Sequence, residues 1–160
     1  MRGGALPPAL LCAALGLALS FAPRRIYPFA LIVLVLGALA ASFLSFPAVW
    51  QDGLFLGCWA SIVLAALLIH LPGGIGAKLA LALALNSGFW AGAVISTAGV
   101  KLDLAKALPL ALLCLPGAWV VSTKRGIALK VVASWLIAVS ILGAALPLVP
   151  TPGYKPDHMD

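Results

Sequence analysis

Apolar residues occupy this chain in long blocks, and polar residues fall mainly between them. A helix needs roughly 20 apolar residues to cross bilayer hydrocarbon about 30 Å thick. Six blocks come close to that length: 1–22, 27–46, 54–71, 81–99, 104–121 and 127–146. The pattern predicts an all-α fold, a polytopic transmembrane helix bundle of about six spans. Residues 1–150 then form a single helix-bundle domain, and 151–160 a short polar C-terminal tail.

The fourth block, LALALNSGFWAGAVISTAG, carries a compact polar break at Asn86 and Ser87. At about 100° per residue, Gly88, Gly92, Ser96 and Gly99 share one stripe, with Asn86, Trp90, Ala93 and Thr97 roughly opposite. Small residues let helix backbones approach closely in lipid. Neighbours can therefore meet this helix on two sides, which predicts it as the centre of the bundle. The second block repeats the device with Gly37, Ala41 and Ser45. In the fifth, Pro109 and Pro116 lie seven residues apart, on nearly one face. Each removes a backbone hydrogen bond, which predicts a kink. A re-entrant segment is the alternative, tolerated where protein or water shields the backbone.

The first block has the look of a signal peptide. However, Pro23 and Arg24-Arg25 follow it, so positive charge is heavier after the segment than before. Leu10 and Leu11 before Cys12 also make a poor lipobox. The reading is a retained first span.

Basic turns follow the first, third and fifth blocks: APRRI, GGIGAK and KRGIALK. Their spacing of roughly fifty residues suggests three tandem helical hairpins. These turns hold Arg24, Arg25, Lys78, Lys124, Arg125 and, nearby, Lys130, against Arg2, Lys101, Lys106 and Lys155 on the other side. The bias favours both termini on the non-cytoplasmic side, and the compact, Ala/Leu-rich spans suggest a bacterial inner membrane.

Composition strengthens the membrane reading. The chain has 160 residues, 64% hydrophobic and 9% charged, with a mean hydropathy of +1.17. So few charges could not cover that much apolar side chain in water. The net charge of +6 is spread along the turns and not gathered on one face, so no nucleic-acid footprint results. It fits anchoring at lipid headgroups.

Candidate chemistry is thin. All four acidic residues, Asp52, Asp103, Asp157 and Asp160, fall in connections or the tail. No Asp, Glu, Lys or Arg lies deep in a span, where ion-coupled transporters usually place one. Ser87 has no deep histidine to activate it, since His70 lies near a helix end. LPGGIG lacks the ending of a phosphate loop. Cys12, Cys58 and Cys114 sit in separate blocks and read as small buried hydrophobes. Asp157, His158 and Met159 form only a weak hint of cation binding. The sequence therefore points to no enzyme, no cofactor and no metal.

Asn86 remains. Either its amide bonds a neighbouring span as glue, or it lines a narrow polar path continued by Ser87, Ser96 and Thr97. Carbonyls freed by Pro109 and Pro116 could add to such a path. Trp90 reads as a packing residue. The leading expectation is an accessory or assembly subunit of a larger membrane complex. Its partners are the lipid bilayer and other membrane-protein subunits or copies of itself. A small permease or channel-like subunit for a neutral solute is the alternative. The candidate packing or pathway residues are Asn86, Ser87, Gly88, Gly92, Ser96, Thr97, Pro109 and Pro116.

Overall fold

A computed structural model describes residues 6–99 and 101–146. The tail 151–160, with Asp157, His158 and Met159, lies outside the described residues. Among those described, every regular element is helical. The α-helices are α1 (Leu6–Leu19), α2 (Tyr27–Ser42), α3 (Gln51–Leu68), α4 (Ala77–Ala98), α5 (Lys101–Ala107), α6 (Cys114–Ser122) and α7 (Gly126–Ala145), with short 3₁₀ turns between some of them. The chain is a multi-pass membrane helix bundle. Five helical stretches are long and apolar enough to cross a bilayer: Arg24–Ser42, Gln51–Leu68, Ala77–Ala98, Leu102–Ser122 and Gly126–Ala145. The remaining apolar helix, α1, has 14 residues and rises only about 21 Å.

The shortness of α1 goes with its position. Pro7, Pro8, Leu11, Cys12, Ala14, Leu15, Gly16, Leu17, Ala18 and Leu19 are all buried, ten of its 14 residues. It packs on α3, α4, α6 and the stretch between α5 and α6. A helix apolar all round that is enclosed by other helices belongs to the core and need not match the bilayer by itself. The centre of the bundle is thus α1, a correction to the expectation that placed it at Leu81–Gly99. The fourth helix is the most enclosed of the five long ones, with 56% of its most apolar window buried.

Packing crosses the hairpins. The main partner of α2 is α4, and α3 packs about equally on α1 and α7, so contacts between hairpins add to the one that α3 and α4 make within theirs. At the α2–α4 contact the two backbones approach closely. A Cβ added to Gly88 would stand 2.5 Å from the Leu34 carbonyl oxygen and 3.0 Å from the Ala38 nitrogen. One added to Gly92 would overlap the Ala38 carbonyl oxygen and lie 2.9 Å from the Ala41 methyl. The glycine hydrogens in these directions point at carbonyl oxygens, the arrangement of weak Cα–H···O contacts at helix interfaces. From the other side, a Cβ added to Gly37 would stand 3.4 to 3.6 Å from Leu85 and Gly88, in ordinary contact. Ser45 lies beyond the contact and is exposed.

The fifth span is one helical rod in three parts. Between α5 and α6, Leu108–Leu113 tightens into a 3₁₀ helix. Ala107, Leu113 and Cys114 keep right-handed helical backbones at the junctions. The backbone stays helical from Lys101 to Ser122, long and apolar enough for a single crossing. Pro109 and Pro116, both exposed, flank or enter the stretch where ordinary helical bonds would be missing, and the tighter i→i+3 winding replaces them. The rod leans on α1 through two glycines. A Cβ on Gly16 would stand 2.7 Å from the Ala111 carbonyl oxygen, and one on Gly117 would overlap the Ser20 hydroxyl.

Candidate functional site

The polar break of α4 meets α3. Ser61 is the only hydroxyl of α3, and it faces Asn86 across the helix pair. The Asn86 amide donates from Nδ2 to Ser61 Oγ (3.0 Å). One turn on, Trp90 Nε1 donates to Asn86 Oδ1 (3.1 Å). An indole can only donate, so it fixes which end of the amide is oxygen. The indole reaches that position because Gly57 leaves room: a Cβ there would overlap its ring. Trp90 also meets Phe89 edge-on at a centroid distance of 5.4 Å, and Phe89 meets Phe46 at 6.4 Å. One network thus ties α3, α4 and the segment after α2. Aromatic pairs of this geometry contribute about 0.5–1.5 kcal/mol each beyond burial.

Ser87 points elsewhere. It is fully buried on a stripe with Ala80, Ala84, Ala91 and Val94. That stripe lies between the glycine side facing α2 and the Asn86 side facing α3, which leaves it to α1, the third helix packed on α4. Its hydroxyl has no hydrogen-bond partner, a condition shared among the described residues by Ser140 Oγ and Tyr27 OH. A buried unsatisfied hydroxyl costs about 1–3 kcal/mol. Ser87→Ala is therefore expected to raise the thermal unfolding midpoint in detergent or leave it unchanged. A clear drop would show that the hydroxyl has a partner in the native protein.

Ser96 and Thr97 spend their hydroxyls on their own helix. Ser96 Oγ donates to the Ala93 carbonyl (2.8 Å), and Thr97 Oγ1 lies 3.2 and 3.1 Å from those of Ala93 and Val94. Ser96 faces outward. The structure therefore joins Asn86 to Ser61 and Trp90, but it does not bring Ser87, Ser96 and Thr97 onto one lane. Gly88 and Gly92 serve the α2 contact. Pro109 and Pro116 lie in the fifth span, away from the cluster.

Sequence reasoning missed Ser61 and Gly57. Their four-residue spacing is the same one that marked the glycines of α4, and it was the available signal. A second polar contact was missed as well. His70 Nδ1 stands 3.1 Å from the Ala66 carbonyl oxygen, and its Nε2 3.3 Å from Ser134 Oγ of α7. That contact ties the end of α3 to α7.

No family model, curated protein or solved structure matches this chain. An open groove of about 280 Å³ lies between α3 and α7, lined by Leu56, Trp59, Ala60, Val63, Ser140, Ile141, Ala144 and Ala145. Its lining is almost entirely apolar, and it touches none of the candidate residues of α4. The cysteines are free and buried. Among the described residues no three His, Cys, Asp or Glu side chains gather as a metal group.

Proposed function

We propose that this chain is a non-catalytic, multi-pass protein of a bacterial inner membrane that acts through packing, as an accessory or assembly subunit of a larger membrane complex. One observation carries the reading: the half-buried amide of Asn86 is engaged where α3 meets α4, by Ser61 and Trp90. A side chain so engaged holds helices together and is poorly placed to receive a solute. The small-xxx-small seams support the same reading. Their far members, Ser45 and Ser96, are exposed and are available to a neighbouring span or a second copy. The end bearing Arg24, Arg25, Lys78, Lys124 and Arg125 faces the cytoplasm in this proposal, with both termini outside.

Purification in mild detergent is expected to bring down other membrane proteins in defined ratio. A clean monomer that conducts a neutral solute in liposomes would overturn the proposal. A periplasm-active reporter fused after Asp160 is expected to be active, and an inactive one reverses the orientation. The second reading, a small permease or channel-like subunit for a neutral solute, is favoured by the unpartnered hydroxyl of Ser87 within the bundle.

A further inference from the structure

The three basic turns, far apart in sequence, meet at one residue. The Phe21 carbonyl oxygen, just after α1, accepts the Ile75 N–H from the turn before α4 (3.1 Å). Gly74 in that turn packs so closely on the same oxygen that a Cβ would stand 2.7 Å from it, and its backbone has φ +82°. Gly126, opening α7, lies against the Phe21 ring, with a Cβ position 3.6 Å from Cε1. The cations Arg24, Arg25, Lys78, Lys124 and Arg125 surround this junction, all exposed, with Lys130 half-buried one turn into α7. Both described carboxylates, Asp52 and Asp103, lie at the starts of α3 and α5, at the other end of the bundle. Six positive charges thus share one end without a described counter-ion of the chain.

We propose that this end is a composite binding surface for anionic phospholipid headgroups, built by the three turns around Phe21. The occupant follows from charge and position. The cations stand at the ends of apolar spans, where the phosphates of the adjoining leaflet lie, and their long side chains can reach those phosphates. Two helix N-termini, those of α4 and α7, open at the same end with no acidic residue in the first turn and no side-chain cap. Their free N–H groups add to the attraction for anions. The lipid tails would lie along the exposed apolar faces below, such as Ile127 and Val131 of α7.

The test uses the full chain in nanodiscs or vesicles of phosphatidylcholine, alone or mixed with phosphatidylglycerol. Lipid that stays with the protein on extraction is expected to be enriched in phosphatidylglycerol about tenfold over the mixture. That corresponds to one to two cations' worth of surface attraction. The enrichment is expected to fall towards the bulk ratio in the fourfold variant Arg24→Gln, Arg25→Gln, Lys124→Gln, Arg125→Gln, and to persist in Lys106→Gln at the far end. Should the fourfold variant not fold, the two double variants are each expected to lose part of the enrichment, and raised salt to weaken it in the unaltered protein. Equal retention of the two lipids, or an equal loss in Lys106→Gln, overturns the proposal. Stabilisation by inorganic phosphate in phosphatidylcholine alone, matching that of phosphatidylglycerol, overturns it too, because the surface would then bind a small free anion.

Discussion

Gly92→Ala is expected to destabilise the protein by about 3 kcal/mol, the upper part of the range for an added methyl that the surroundings cannot accommodate. What the new Cβ meets is the Ala38 carbonyl oxygen, a backbone atom held in the ladder of α2, so no rotamer change can relieve the overlap. Gly88→Ala acts on the same contact through Leu34 and Ala38, and the two glycines are one turn apart. Gly53→Ala is the control, since nothing stands within 4 Å of that position. There the substitution should stabilise α3 slightly, by up to about 1 kcal/mol from helix propensity. Thermal unfolding in mild detergent reads all three. Ala41→Gly in the Gly92→Ala background should recover little, because it removes the methyl contact and leaves the carbonyl. If Gly92→Ala and Gly53→Ala behave alike, α2 and α4 do not approach as described.

The same pair of helices marks what a sequence can disclose in a bilayer. The length of the apolar blocks was enough for the all-α membrane fold, because water-free hydrocarbon demands internally bonded backbone. Glycine spacing on α4 located a helix that is met on two sides, by α2 at Gly88 and Gly92 and by α3 at Asn86 and Trp90. What could not be read was that α1 is more enclosed than α4. In water, an exposed face would be polar and would reveal itself. In lipid, Leu serves equally well inside and outside, so Leu11 and Leu15 of the core carry the same letters as exposed Leu36 and Leu39 of α2. The shortness of α1 was no signal either, because its apolar block, 1–22, is as long as a full span and only the structure trims the helix to 14 residues.

The proline pair illustrates a different limit. Pro109 and Pro116 predicted a local fault in the fifth span, and the fault takes the form of six residues of 3₁₀ helix. Whether a helix bends, reverses or tightens there depends on what stands opposite. Gly16 of α1 admits the Leu110 and Ala111 carbonyls at 3.0 and 2.7 Å from its Cβ position, a contact between residues almost a hundred positions apart. The candidate site was half legible for the same reason. An amide within an apolar span announces that partners exist, but it does not say that they are Ser61 and an indole on its own helix.

Asn86→Leu is expected to lower stability by about 1–2 kcal/mol, through the loss of two hydrogen bonds offset in part by added apolar contact. Its consequences fall on both neighbours: the Trp90 N–H and the Ser61 hydroxyl each lose the group they faced. A double-mutant cycle with Ser61→Ala isolates the cross-helix bond, and a coupling of about 0.6–1.7 kcal/mol is expected, as for other hydrogen bonds between spans. Gly57→Ala should weaken the cluster from the far side by displacing the indole. The cycle also separates the two functional readings. As glue, Asn86 changes unfolding temperature and copurification of partners in step, and Ser61→Ala produces the same effects on a smaller scale. As a path lining, Asn86→Leu would abolish solute flux in liposomes even when the folded protein is held stable by lipid. Flux that survives Asn86→Leu while the unfolding midpoint drops would leave the amide with a purely structural role.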